Sequence, residues 1–445
     1  MDTRLARRWG ILPIILVTCL LLALLLIGIL PVQALTAPAA AGDWLHFGFD
    51  TAYTANNPFE TTISLDNIDQ LSRRWGVGCD DGYFSVIWRS PAVRDGVLYT
   101  SGAGTRLTAY NAHTGQLQWQ FGSNNVGWAP QPIVSEDGIV IYPFDADPTS
   151  LFAVNGQTGA EIWEAPVTFD LGFSGAAELV PTIDETNDLI YLVEEHFQEG
   201  GKLWALNLAD GEVAWWMGEP LQEAAFVGSY PILSDGKIYA AADVPMEPYP
   251  YHGEHMLRID PITQTIELTY ERPTPENYWS LDRYTLCGSK LVVGFNYMYD
   301  DVKPLVAYDI DSPTIAWQLP FSEITGEIAC DANAGVIYVP TDPYLYALDV
   351  TDGSEVWKHL GYGSIYNPSI ANGIVYYLSD TNMYALDQTN GDQLFHFPLG
   401  YEADETTQVA IADGMLYFSG NGGDCDLYAL SLLGQRQFLP LVARK

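Results

Sequence analysis

Three observations predict an all-β fold, an eight-bladed β-propeller of four-stranded antiparallel blades whose last blade is closed by an N-terminal strand. A strand–turn–strand motif recurs eight times at roughly 38–53 residues, the interval of propeller repeats. Two further short strands, joined by a Gly-containing turn, precede each copy, as in QPIVSEDGIVIY, YPILSDGKIYA, NPSIANGIVYY and QVAIADGMLYF. One strand, residues 71–75, stands unpaired ahead of the first copy and ends in the tryptophan typical of the fourth strands.

The first copy displays the grammar. Pro91-Ala92-Val93 runs into the turn Asp95-Gly96, and Val97-Leu98-Tyr99 returns. Leu107 to Tyr110 follows, and His113-Thr114-Gly115 turns the chain into Leu117-Gln118-Trp119. Asp-Gly and Thr-Gly supply the positive φ of tight turns, and the runs between them are β-branched and aromatic. The later copies are LFAVNGQTGAEIW ending at Trp163, LWALNLADGEVAW at Trp215, MLRIDPITQTIEL at Leu268, LVAYDIDSPTIAW at Trp317, LYALDVTDGSEVW at Trp357 and MYALDQTNGDQLF at Phe395. The eighth, LYALSLLGQ, begins at Leu427. Copies four and five depart most: Arg258 replaces Ala, and Gln264 and Pro313 replace the turn Gly.

Two segments compete to complete the eighth unit. The tail QRQFLPLV lacks the tryptophan and carries Pro440, which removes a ladder donor, so residues 71–75 are preferred. If Trp75 stands opposite Leu430, as Tyr110 would face Trp119, Cys79 lies opposite Asp426 and beside Cys425, to which it can bond. Cys287 and Cys330 end the innermost strands of units five and six; a bond between blades and two buried thiols are both open.

In a meander with short first-to-second and third-to-fourth turns, the remaining connections share one face. Residues 194–202, 243–255 and 296–303 are long second-to-third loops, and residues 165–179 and 271–284 are long links between units. The expectation is one clipped face and one elaborated face, the elaboration lying in units three to five, where a rigid scaffold usually carries binding.

The formal net charge is −37, a field that repels nucleic acid and anionic surfaces and attracts cations or basic partners. Arg4, Arg7 and Arg8 precede an apolar run of about 20 residues and a small-residue stretch after it. Residues 1–34 are therefore expected to be a signal peptide or signal anchor, residues 35–43 a spacer, residues 44–432 the propeller and residues 433–445 a tail. The protein is expected to be secreted or displayed at the cell surface or in the periplasm, a monomer, with membrane contact only through the N-terminal segment. Residues 44–75 hold turn residues and a helical cap at Ser64.

The block WLHFGFD…TANNPFETTISLDNIDQLSRRW, followed by the DG-VLY and YAL-D-x-x-TG-x-x-x-W copies, resembles the pyrroloquinoline-quinone-like repeat β-propellers. The resemblance implies that Trp75, Trp119, Trp163, Trp215, Trp317 and Trp357 dock adjacent blades and are structural. One branch of that family consists of quinoprotein alcohol dehydrogenases with the quinone and Ca²⁺ in the central channel, a vicinal disulfide and an acidic base. This sequence has no adjacent cysteines and no block matching those metal and base residues. It looks more like two other groups: the non-enzymatic branch, which resembles the scaffold propeller of the outer-membrane assembly machinery, and exported repeat-only proteins of unknown role. The resemblance therefore implies no resident cofactor and no catalytic residue; a divergent dehydrogenase using pyrroloquinoline quinone and calcium is the alternative.

Chemistry-bearing residues cluster on the predicted elaborated face. His252, Glu254 and His255 fall in YPYHGEH, where a zinc site would need a further ligand. Glu194, Glu195 and His196, with Asp300 and Asp301, offer oxygen ligands for calcium, although a solvated acidic rim is the simpler reading. Phe197, Tyr249, Tyr251, Tyr278, Trp279, Tyr297 and Tyr299 are candidates for gripping a partner, either a protein or a glycan.

Overall fold

The computed structural model describes residues 42–78, 90–102, 106–122, 131–144, 149–169, 179–194, 201–218, 225–226, 230–245, 252–271, 280–296, 303–379, 381–399, 407–419 and 427–432. The predicted architecture is borne out: eight sheets, each a four-stranded meander at heart, form the eight blades of a propeller. In the first blade the order is Ala92–Arg94, Val97–Gly102, Arg106–Asn111 and Leu117–Phe121, every neighbour antiparallel. The eighth blade takes its outermost strand, Leu71–Val77, from the N-terminal side; it pairs with Leu427–Leu432. A strand that precedes the first repeat and the last strand of the repeats thus share one sheet, which removes a free edge from the closure.

The register differs from the expected one by a residue. Trp119 faces Ala109, not Tyr110, and Trp75 faces Ala429, not Leu430. A bulge intervenes in both, inserting Gln118 and Arg74 as extra residues. The same pairing recurs: Trp163 with Ala153, Trp215 with Ala205, Trp317 with Ala307, Trp357 with Ala347 and Phe395 with Ala385. The small alanine leaves room for the indole. The last described pair of the closing sheet is Val77–Leu427, two residues short of each cysteine; Cys79 and Cys425 themselves lie outside the described residues.

Five of the six tryptophans dock the blades by a bond across the seam. Trp75 Nε1 donates to Ala112 O across the closing seam at 2.9 Å, and Trp119, Trp163, Trp317 and Trp357 donate to Gly156, Leu208, Val350 and Gln388 at 2.9–3.0 Å. Each such indole also lies flat on the next blade's turn. A Cβ at Gly159, where φ is +71°, would stand 2.6 Å from the Trp119 ring, so glycine meets both the turn and the close approach. A second, edge-to-face clasp repeats farther along the seams: Phe121 on Phe152, Phe169 on Trp204, Phe321 on Tyr346 and Phe397 on Tyr428, at 5.2–5.8 Å.

The departure in copy four has a compensating partner. Leu268 faces Arg258, and neither the indole nor the alanine is present. Arg258 Nη1 and the Tyr270 hydroxyl donate instead to Ile310 O, at 2.7 and 2.6 Å. This carbonyl is the fifth-blade equivalent of those that the indoles reach elsewhere.

Strand pairing runs farther into the excursions than the sequence suggests. Residues 243–245 and 252–254 continue the ladder of the fourth blade out to Pro245–His252, and Ser280–Cys287 starts within the expected link. Ladder hydrogen bonds here override the turn propensity of Pro, Gly and His. The expected cap at Ser64 is a backbone one: its carbonyl accepts from Asn67 and Ile68 as the chain enters the short 3₁₀ turn Ile68–Gln70.

Candidate functional site

Residues 44–57 lack any repeat pattern, and they lie around the central channel. Trp44 exchanges both backbone bonds with Val93 of the first blade, and Leu45 O accepts from Val134 of the second. Thr51 O accepts from Leu233, Ala52 O from Leu286, Thr54 O from Cys330 and Ala55 O from Ile370, one blade after another from the fourth to the seventh. Asn56 and Asn57 then pair in parallel with Ile370 and Ala371, and Asn57 Nδ2 donates to Ile411 O of the eighth blade. Every contact is made near the end of an innermost strand, beside the first-to-second turn. The segment therefore plugs the channel at the clipped face. Gly42 and Asp43, at the end of the expected spacer, are already bonded to this ring, to Asn57 Nδ2 and to Asp95 N–H.

The plug is aromatic and tightly held. Trp44 is fully buried and meets Phe49 edge-on at 5.3 Å. Phe47 meets Tyr53, which stacks on Tyr230 at 4.2 Å. Phe49, Tyr53 and Ala55 have φ of +74°, +58° and +54° without being glycine, a conformation maintained by the surrounding bonds.

Three residues before those contacts, seven of the eight innermost strands present a side chain at the corresponding position: Ser90, Gln131, Tyr230, Arg283, Glu327, Asn367 and Gln408. Six of them, all but Gln131, are bonded from blade to blade. The Tyr230 hydroxyl donates to Glu327 Oε2 at 2.6 Å, and Arg283 Nε lies 3.5 Å from Glu327 Oε1. Glu327 N–H donates to Asn367 Oδ1, and Asn367 Nδ2 to Thr407 O. Gln408 N–H donates to Ser90 Oγ at 2.6 Å, while Gln408 Oε1 accepts from Gly48 N–H of the plug. Tyr284 donates its hydroxyl to Tyr230 O. Burial, and then the charge of Glu327, holds the Tyr230 hydroxyl well above its usual range, so it stays a donor. A polar side chain ahead of a proline, as in Ser90-Pro91, Gln131-Pro132, Tyr230-Pro231 and Asn367-Pro368, is the sequence signal for this ring.

His46, buried in the plug, is held down to about 4 by desolvation. The unfolded chain therefore takes up a proton between pH 6.5 and 4 that the folded one refuses, and stability falls by up to about 3 kcal/mol as pH drops through that window. Glu185 works oppositely: burial pushes it up to about 7, so its contribution is present at low pH and lost as pH rises through 7. The difference between wild type and His46→Gln isolates the histidine. In urea titrations the variant is expected to gain relative stability steadily from pH 6.5 to pH 4; a constant difference would refute this.

Glu194 ends its strand buried, and its Oε2 accepts from Trp204 Nε1 at 2.8 Å. His252 and Glu254 are strand residues, paired with Pro245 and Asp243, and His255 is buried opposite Ala242. Glu195, His196, Phe197, Tyr249, Tyr251, Tyr278, Trp279, Tyr297, Tyr299, Asp300 and Asp301 lie outside the described residues. Cys287 and Cys330 form a disulfide between the fifth and sixth blades, with Cα atoms 5.6 Å apart.

A quinone with its calcium ion needs a planar slot and convergent oxygen ligands. Among the described residues, no group of three or more His, Cys, Asp or Glu side chains converges on one point. The one carboxylate of the channel ring, Glu327, is already bonded to Tyr230 and Arg283. The described channel wall does not fit that group.

A family model described as outer membrane protein assembly factor BamB matches residues 72–186, 105–244 and 288–436. The quinoprotein alcohol dehydrogenase PedH of Pseudomonas putida is 26% identical over 163 residues, which are 34% of this chain and 26% of that protein. The quinoprotein ethanol dehydrogenase of Pseudomonas aeruginosa is 26% identical over 39% of this chain and 29% of its own length. The chain thus spans under a third of the curated relatives it matches. Among solved structures, quinohemoprotein alcohol dehydrogenase from Comamonas testosteroni superposes with a TM-score of 0.67 at 14% identity, covering 90% of this chain and 82% of that one. BamB from Moraxella catarrhalis gives 0.57 at 14% identity, covering 82% and 99%. At such identities the likeness shows the fold alone.

Proposed function

The chain belongs to the repeat family described as outer membrane protein assembly factor BamB, and from that membership we propose that it is an exported binding or scaffold module that engages a protein or carbohydrate partner through the loop-rich face of blades three to five. The observation that carries this reading is the plug. It takes up the channel end on the turn face, while the second-to-third junctions at Glu194–Lys202, Pro245–His252 and Asn296–Lys303 all leave from the opposite face. A rigid ring with one elaborated face is suited to holding a partner.

The test replaces residues 246–251 and 297–302 by two-residue Asn-Gly turns in the full chain and measures partner capture in the native envelope by crosslinking and mass spectrometry. Capture is expected to fall at least about tenfold while the unfolding midpoint stays put, in keeping with the weight of central aromatic contacts in an interface. Unchanged capture would overturn the proposal. The second reading, a dehydrogenase dependent on pyrroloquinoline quinone and calcium, draws on the quinoprotein relatives. Adding the quinone, Ca²⁺ and an artificial electron acceptor tests it, and the absence of both a bound chromophore and alcohol oxidation would remove it.

A further inference from the structure

Beside the Phe321–Tyr346 clasp, the seam between the fifth and sixth blades opens outward into a groove of about 520 Å³, lined by Phe321 at the end of the fifth blade's outer strand and by Tyr344 and Tyr346 on the third strand of the sixth. It reaches from Asp342 and Pro343 at one face to Ser354 and Glu355 at the other. The strand that floors it, Tyr344–Asp349, has six residues, about 20 Å of extended chain.

The composition of the wall is selective. Phe321, Tyr344 and Tyr346 supply aromatic faces, and the two charged residues that line the groove, Asp342 and Glu355, are both acidic. Along the sixth blade's outer strand, Trp357 turns toward the seventh blade and donates to Gln388 O. Residues 356, 358 and 360 alternate with it; Val356 and Leu360 are 50% and 59% exposed. Between them, Lys358 Nζ stands 5.5 and 5.8 Å from the Tyr344 and Tyr346 ring centres and 3.7 Å from Glu355. These two rings already face one cation, and that cation is the chain's own.

Aromatic faces beside carboxylates are the chemistry that holds a guanidinium or ammonium group. Exposed aliphatic residues on either side suit the apolar neighbours of such a group, and the net charge of −37 draws basic segments toward the surface. We propose that this interblade groove docks an extended segment of a partner protein, about six residues long and bearing arginines or lysines, of which one displaces Lys358 from Tyr344 and Tyr346 and pairs with Glu355 while another pairs with Asp342 at the opposite end. The proposal rests on the scaffold reading and adds a second contact, on the seam and not on the loops.

The probe is a fluorescein-labelled hexapeptide of alternating leucine and arginine, read by anisotropy against the full-length chain at about 150 mM salt, where distant charges are screened. Asp342→Asn with Glu355→Gln is expected to weaken binding about tenfold, and Lys358→Ala to tighten it about threefold. A charge-matched pair on the third blade, Asp210→Asn with Glu212→Gln, is expected to leave it unchanged. All these side chains are exposed, so folding is not at stake. Equal loss in the charge-matched pair, equal binding of the leucine–glutamate peptide, or no response to Lys358→Ala would each overturn the proposal. The same peptide binding to the chain with both loops replaced would separate the groove from the loop face: retained binding supports the groove, and lost binding overturns it, whichever way partner capture responds.

Discussion

Replacing Trp44 by alanine is expected to lower the stability of the propeller by about 4 kcal/mol, the range of a fully buried aromatic truncation. Trp44 has no exposed surface, exchanges two backbone bonds with Val93 at 2.9 and 2.7 Å, and packs edge-on against Phe49. The cavity would open where the plug enters the ring, between the first and eighth blades. Trp44→Phe, which keeps most of the buried area, is expected to lose about half as much. Urea midpoints for the two variants check both values. If Trp44→Ala leaves the midpoint unmoved, the plug is not part of the cooperatively folded ring.

Removing the disulfide is the second large effect. Cys287 and Cys330 are 43 residues apart in sequence and both fully buried. Opening a loop of that length is expected to release about 4 kcal/mol of constraint on the unfolded chain. Cys287→Ala with Cys330→Ala should therefore unfold at a lower urea concentration than the oxidised wild type. Dithiothreitol present during unfolding should bring the wild type down to the double variant and leave the variant unmoved. A double variant as stable as the oxidised protein would refute the estimate. The bond sits at the plug, since Cys330 N–H donates to Thr54 O. Wild type and double variant thus also report how far the blade-five to blade-six seam and the plug depend on each other.

Much of the fold was legible because the repeat states it many times. The alternation of each strand, the glycine turns and the fourth-strand tryptophans are local signals, and copies reinforce one another even where Leu268 and Phe395 stand for tryptophan. The closing strand was readable for the same reason: Trp75 carries the mark of its class. The one-residue register error had a physical source. A bulge is placed by the hydrogen bonds it interrupts, and neither Gln118 nor Arg74 announces itself as the extra residue. Likewise, Arg258 and Leu268 look like two degenerate positions in sequence. Across the sheet they face each other, and Arg258 reaches the Ile310 carbonyl in place of an indole.

The plug was not legible. From Thr51 to Ala55 its residues bond to a different blade every one or two positions, so no period of two or of a helix can arise. Its left-handed backbone falls on Phe49, Tyr53 and Ala55, where sequence gives no warning. The polar ring was half visible, as a polar residue before a proline in several copies, and its meaning depended on seeing seven such residues at corresponding positions.

By itself, then, the sequence determined the eightfold ring, the strand that closes it and the tryptophans that dock its blades, because each is specified by local pattern repeated along the chain. Only the tertiary structure decided what lies in and between the blades: the plug on the channel, the Tyr230–Glu327–Asn367–Gln408 ring above it, the Cys287–Cys330 bond and the groove at Tyr344 and Tyr346. These features join residues tens to hundreds of positions apart, and their partners are set by ring closure, which no local pattern encodes.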